Sequence, residues 1–386
     1  MIRNPLGILG ILVLTEAVVL CFTEHARFKR FFQFPPSMFW IYFLPMVFST
    51  FNIIPQQSEV YPKIGAYVLP ASLILLLISA DLKAIFKLGV PALGMMFAGT
   101  FGVLLGAPVV LWIFKPWLSA DAWSGFAALS ASWTGGSANM IAVKEALGTP
   151  DAVFLPMVVV DTLVAYSWMG ILILLEGVQV AYDKWNRSDR TVVEELHRKI
   201  AAASVSTPGV LRLEFILLIL FAGAFGAGIS VCGARWLVGL TGIPQNTLLI
   251  LIASTLGIAF SFTPVKKLES FGASRIGYIL LYFVLTSIGA RASLASIVSA
   301  PLLIVAGFVW VLIHALFLFA VSRLTRTPLC LVATASQANI GGPASAPVVA
   351  AVYEPALAPV GLLLGVLGNV MGTYCGLLCA QLCRLF

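Results

Sequence analysis

Stretches of about 20 apolar residues, enough to cross ~30 Å of hydrocarbon as a helix, recur from one end of this chain to the other. Ten read as full spans, near 6–22, 38–54, 64–80, 91–114, 153–176, 213–233, 246–262, 274–290, 301–322 and 356–383. Two more, 124–147 and 329–349, are apolar but interrupted by polar residues and glycine pairs. A membrane barrel would show short alternating segments instead. The other way to satisfy every backbone group in lipid is the α-helix, so the expected fold class is an all-α polytopic membrane protein. Charged residues make up only 10% of the chain, against roughly 25% in soluble domains. Glu16 interrupts the first run and no small-x-small cleavage site follows it, which reads as a retained first helix.

A formal net charge of +7 would suggest nucleic acid in a soluble domain. Here Lys and Arg sit in short loops between apolar runs, where basic residues set topology, and no nucleic-acid partner is expected. The expected partners are the lipid bilayer and a small-molecule or ion substrate, with a homodimer left open. None of the six cysteines forms a CxxC pair. Cys375, Cys379 and Cys383 recur every fourth residue on one helical face, which suits soft packing residues first and a thiol metal site second. P-loop, HExxH and GxSxG patterns are absent. Asp161 has no acidic partner in its register for a membrane aspartyl protease, and the chain is not expected to be an enzyme.

The sizeable polar stretch, 177–212, contains Thr191 and Glu194 at the spacing of a capping box. A short surface helix linking two halves is expected there. The halves resemble one another. Ala131-Ser132 and Gly135-Gly136 recur as Ala335-Ser336 and Gly341-Gly342. Asp161 and Tyr166 recur 208 positions later as Asn369 and Tyr374, while Ala80, Asp81 and Pro91 match Ala290, Arg291 and Pro301 at a shift of 210. The expected organisation is a first transmembrane repeat over 1–176, a polar cytoplasmic linker over 177–212 and a second repeat over 213–386.

Basic residues suggest how the copies are oriented. Loop 23–37 carries Arg27, Lys29 and Arg30 where its counterpart 234–244 has only Arg235; loop 55–63 has only Lys63 where 263–275 has Lys266, Lys267 and Arg275. Under the positive-inside rule, such a swap between matched loops marks inverted copies. Inversion needs an odd number of crossings per copy. Twelve straight crossings would also put the basic loops 23–37 and 81–90 on the wrong face. The expectation is two inverted repeats, each of about five spans plus one broken or re-entrant glycine-containing helix.

The interrupted segments read SWTGGSANM (132–140) and SQANIGGPASAP (336–347). Unwound carbonyls and helix C-termini can coordinate a cation, whereas N-termini favour an anion; close packing through small residues is the competing explanation. The candidate site residues are Ser132, Thr134, Gly135, Gly136 and Asn139 in the first segment and Ser336, Gln337, Asn339, Gly341 and Gly342 in the second. Asp161 lies centrally in FLPMVVVDTLVAYSW, where an ionised side chain costs at least ~2.5–3.5 kcal/mol on insertion scales. It either holds an ion or proton or hydrogen-bonds a neighbouring helix. Asn369 is its neutral counterpart, so the pair would carry one negative charge, matched to one monovalent cation or one proton. A sodium ion at Asp161 is the candidate metal, and no cofactor is expected beyond sodium or a proton as coupling ion. Glu16 reads as a second buried acid or as paired or lipid-edge, His314 as a proton relay or a packing residue, Asp81 and Arg291 as interfacial span ends, and Lys144-Glu145 as a solvated pair.

Four stretches, ADLKAIFKLG (80–89), SASWTGGSANMIAVKEALG (130–148), VVVDTLVAY (158–166) and ASQANIGGPASAPVVAA (335–351), resemble the YjcL-like family of bacterial and plastid membrane proteins. The likeness covers nearly the whole chain. That family is similar to the superfamily of cation/proton antiporters, bile-acid-type sodium symporters and related anion transporters, built as inverted repeats with discontinuous helices near a central site. The resemblance implies a multi-pass protein of the bacterial inner (plasma) membrane. The resemblance names no substrate; the expected function is secondary transport of a small solute, an organic anion, coupled to sodium or proton binding at Asp161 by rocking of one helix bundle against the other. Many proton antiporters of that superfamily carry adjacent aspartates on one helix. Here Asp161 is followed by Thr162, so the exchange stoichiometry does not carry over. A sodium/proton antiporter without organic substrate is the alternative within transport; a non-transporting scaffold or sensor is the alternative outside it.

Overall fold

A computed structural model describes residues 1–24, 37–201, 212–291 and 300–385. Arg27, Lys29 and Arg30, and residues 202–211 of the expected linker, lie outside the described residues. The described residues form helices and connecting turns, without a strand. In chain order the helices are α1 (Pro5–Glu24), α2 (Ser37–Thr50), α3 (Val60–Ile78), α4 (Leu82–Phe86), α5 (Val90–Phe114), α6 (Ala122–Gly135), α7 (Ser137–Leu147), α8 (Asp151–Leu175) and α9 (Gln179–Asn186). They continue with α10 (Thr191–Ala201), α11 (Leu213–Thr241), α12 (Gln245–Ser261), α13 (Ala273–Arg291), α14 (Ala300–Thr325), α15 (Leu329–Ile340), α16 (Gly342–Tyr353) and α17 (Ala358–Cys383).

Among the described residues, eight helices are long and apolar enough to cross a membrane, and α12 makes a ninth if joined to the 3-10 turn Pro264–Phe271 that leaves it at 91°. The expected span over 38–54 appears as α2, of only 14 residues. Which residues face outward identifies the solvent as lipid. α11 exposes Leu217, Phe221, Phe225 and Ile229 and buries Gly223, Gly226, Ala227, Ser230 and Ala234. A water-soluble helix does the reverse. In hydrocarbon nothing is gained by hiding large apolar groups, and helices associate through small residues that let backbones approach. The chain is therefore an all-α polytopic membrane protein.

Two compact units are present, each drawing segments from both halves of the sequence. The first takes Met1–Ser79, Lys144–Val158 and Pro208–Ala300; the second takes Ala80–Val143, Val159–Thr207 and Pro301–Phe386.

In the first unit α3 is the hub. Ile74, Leu75 and Ile78 pack with Ile219 of α11, Ala253 of α12, Leu268 and Ala273. Glycines 223, 226, 257 and 277 on the surrounding helices each receive one of residues 74–77, so α3 is gripped from three sides by helices without side chains at the contact. Glu16 on α1 is buried, and its Oε1 has no hydrogen-bond partner among the described residues. Lys144 and Glu145 are not the solvated pair the sequence suggests. The Lys144 Nζ lies 2.9 Å from Glu145 Oε1 and 3.0 Å from Asp151 Oδ1, and Arg291 reaches the same two carboxylates at 3.0 and 3.3 Å. Each cation thus bridges both anions in an alternating ring, with Lys144 only 3% exposed. A cavity of about 480 Å³ adjoins this ring. The ring joins the end of α7, the start of α8 and the end of α13.

In the second unit α17 is the hub. Its glycines 361, 365, 368, 372 and 376 form one face, and a Cβ at any of them would come closer than 3.0 Å to a neighbour. Gly361 and Gly365 receive Ala346 and Pro343 of α16, while Gly368, Gly372 and Gly376 receive Thr134, Asn139 and Ala131. α5 repeats the device towards α14, with Gly102 against the His314 backbone and Gly106 against Trp310. The Trp310 ring in turn stacks on Phe126 at 5.3 Å and lies 4.8 Å from Trp133. Asp81 caps α4 by accepting the Ala84 amide at 3.2 Å. α10 forms where a surface helix is expected, but Asp189, rather than the Thr191–Glu194 box, supplies the cap. Its Oδ1 accepts both the Thr191 hydroxyl and amide, which together hold the Asp189 carboxyl below the usual carboxylate range.

Candidate functional site

Both glycine pairs break a helix in the second unit. α6 ends at Gly135, Gly136 takes a left-handed φ of +79°, and α7 begins at Ser137. α15 ends at Ile340, Gly342 takes a φ of +66°, and α16 begins there with Pro343 in its first turn. Only glycine adopts such backbone without strain. A break frees the carbonyls that end one segment and the amides that begin the next, and those groups need partners at membrane depth.

The two breaks approach each other. A Cβ on Gly342 would lie 3.8 Å from Gly136 Cα, and one on Gly136 would lie 3.5 Å from the Asn369 Oδ1. Gly136, Gly342 and Asn369, separated widely in sequence, therefore meet at one point. Asp161 joins this junction through α6. It accepts a hydrogen bond from Ser132 Oγ at 3.0 Å, and the Ser132 carbonyl accepts the Gly136 amide at 2.6 Å. Asp161 is itself partly exposed, and Ser132 is buried. Helix-break, hydroxyl and carboxylate are consecutive links.

The two asparagines do different work from that expected of ligands. Asn139 donates to Gly135 O at 2.6 Å and to Asn369 O at 3.1 Å, and accepts from the Thr373 hydroxyl at 2.6 Å. Both amide protons are consumed in satisfying a carbonyl freed by the break and in stitching α7 to α17. Asn339 likewise donates to Ala335 O at 3.0 Å and Met96 O at 3.1 Å and accepts from Thr100 at 2.8 Å, tying α15 to α5. Gln337 donates to Ser345 at 2.8 Å. Among the described residues its Oε1 and the Thr134 Oγ1 are buried without a hydrogen-bond partner, which leaves two oxygens on the broken segments with unused lone pairs. Ser336 accepts from Trp168 Nε1 and contacts His314 Nε2, both at 2.9 Å.

Asp161, Ser132, Thr134, Gln337 and the carbonyls at the breaks are oxygen donors of the kind a hard monovalent cation takes. No group of three or more His, Cys, Asp or Glu side chains is gathered for a metal ion among the described residues; Cys379 and Cys383 lie buried with their sulfurs 3.8 Å apart. Reading the sequence missed Trp168, Thr100 and Thr373. Two carried a signal: Trp168 stands two helical turns beyond Asp161, and Thr373 one turn beyond Asn369, so each shares a face with a residue already singled out.

Comparison with known proteins agrees with this architecture. A family described as "Protein of unknown function (DUF819)" matches residues 10–386. A protein of Bacillus subtilis (strain 168) described as "Uncharacterized membrane protein YjcL" is 28% identical over 336 residues, 82% of each chain. With the match running through both helix breaks and the junction between them, the chain belongs to the DUF819 family of membrane proteins.

Proposed function

We propose that this protein is a secondary active transporter in which a monovalent cation, sodium or a proton, binds at Asp161 and is coupled to movement of a small organic anion. The observation that carries the reading is the junction itself: two helices broken at glycine pairs, meeting at Gly136 and Gly342 beside Asn369, with a carboxylate held by Ser132. Packing alone does not require a carboxylate there, or a left-handed glycine in each of two helices. The segment ends supply both polarities, since α6 and α15 finish with carbonyls and α7 and α16 begin with amides. Two inverted copies, as the loop charges suggest, would bring such breaks together from opposite directions.

Ion-dependent thermal stabilisation of the purified protein tests binding, because a ligand that binds only the folded state raises its stability by RT ln(1 + [L]/Kd). Sodium, potassium and pH are varied with and without a panel of small carboxylates, and flux in proteoliposomes follows under sodium or proton gradients. Stabilisation by one cation, increased by one anion class, is the expected result. Proton release on sodium binding with no anion effect would select the sodium/proton antiporter instead. Neither stabilisation nor flux under any gradient would sink the transport reading in favour of a scaffold.

A further inference from the structure

His314 is fully buried on α14, and both ring nitrogens are engaged. Nδ1 lies 2.9 Å from the Gly99 carbonyl, which can only accept, so Nδ1 carries a proton. Nε2 lies 2.9 Å from Ser336 Oγ, and the same oxygen receives the Trp168 indole N–H at 2.9 Å. The indole can only donate. If the imidazole were charged, Ser336 would face two donors and its own hydroxyl proton would need a third partner. With a neutral imidazole every proton has one acceptor: Nδ1–H to Gly99, Ser336 O–H to Nε2, and Trp168 N–H to Ser336. The repeat-matched hydroxyl, Ser132, faces an acceptor-only carboxylate when Asp161 is ionised and donates its proton there. Both partners lie on α8 two turns apart, Asp161 taking Ser132 and Trp168 taking Ser336.

We propose that His314 and Trp168 are positioning residues that commit the Ser336 hydroxyl proton inward, leaving Ser336, like Ser132, able to offer the broken helices only oxygen lone pairs. This deepens the cation-binding reading and rests on it. Paired acceptor-only hydroxyls suit a metal cation of the sodium class, and the arrangement makes His314 a fixed neutral acceptor rather than a proton carrier.

Two measurements on the full chain in lipid test this. In the first, [15N]histidine spectra are compared between wild type and His314→Gln, which assigns the His314 signals by subtraction. The expected signal is a neutral ring, protonated at Nδ1, unchanged across about pH 5 to 8, where an ordinary imidazole titrates. Its Nε2 resonance should shift in Ser336→Ala. An Nε2-protonated or titrating His314 would overturn the proposal whether or not the protein binds cations. In the second, sodium-dependent thermal stabilisation is titrated. His314→Gln, which keeps an acceptor near the Nε2 position, should hold the midpoint within about threefold, whereas His314→Leu should raise it tenfold or more. In a Ser336→Ala background His314→Leu should add nothing. A wild-type midpoint in His314→Leu, or full additivity of the two changes, refutes positioning. A wild type that ignores sodium defeats the sodium form of the cation reading on which the positioning role rests, and the tautomer then still decides the hydrogen-bond assignment.

Discussion

At the scale of single residues, the junction is a chain of hydrogen bonds in which one charge has no cation against it among the described residues. Asp161 has Ser132 at 3.0 Å. Asp161→Asn preserves the shape and leaves an acceptor for Ser132, so the protein should fold and melt within a few degrees of wild type without added ions. It should lose the sodium- or pH-dependent part of its stabilisation, read in the same thermal titration. Unchanged cation dependence would make Asp161 a structural acceptor. Asn139→Ala should behave in the opposite way, because it strands the carbonyls of Gly135 and Asn369 and the Thr373 hydroxyl. Buried polar groups left unpaired cost about 1–3 kcal/mol each. A fall in melting temperature independent of ions is expected, and a variant as stable as wild type would mean water replaces the amide. The sequence made Asp161 and the glycine pairs legible, since a lone acid and adjacent glycines violate the local apolar pattern. It could not separate Asn139 from Ser132, because whether a side chain serves the backbone or faces a ligand depends on a helix more than 200 residues away.

At the scale of elements, the α17 glycine face and the ion-pair ring each hold helices together. Gly365→Ala would drive a Cβ into the Pro343 and Gly342 backbone. Such overpacking costs about 1–3 kcal/mol. Gly239→Ala on α11 meets nothing within 4 Å and should be neutral or gain up to about 1 kcal/mol from helix propensity. Comparing the melting temperatures of the two variants separates the packing face from glycine in general; equal effects would refute it. In the ring, Lys144→Met leaves Glu145 and Asp151 sharing only Arg291. Removing one partner of a buried ion pair costs about 3–5 kcal/mol, and exposures of 21–24% for the other three members place the expected loss at the lower end. Thermal unfolding measures it, and a loss below about 1 kcal/mol would mean that water in the adjoining cavity compensates. The apolar runs foretold most helices, and the GG pairs foretold the breaks. The ring was not legible: its members sit at the ends of three segments, and span ends read as solvated until the neighbouring helices are known.

At the scale of the whole molecule, the sequence divides at 177–212, whereas each compact unit takes segments from both halves. Which helix packs on which is decided by the fit of small-residue faces, and those faces look alike along the chain. Inverted copies predict that residues 183–200 and 263–275 share the cytoplasmic side, because both are rich in basic residues. Single cysteines at the exposed positions Lys184→Cys and Ser270→Cys, introduced into a cysteine-free background, should both resist an impermeant thiol reagent added from outside. Labelling of one alone would exclude inversion. The outward-facing large side chains described for α11 also bear on how this protein can change over generations. In a water-soluble protein the bulky apolar positions tolerate least. Here Phe221, Phe225, Leu362 and Leu378 face outward and can drift among apolar residue types, while the smallest residues of α17 and those around α3 have no substitute. Variation between descendants of this chain should therefore collect at its largest residues and avoid its smallest.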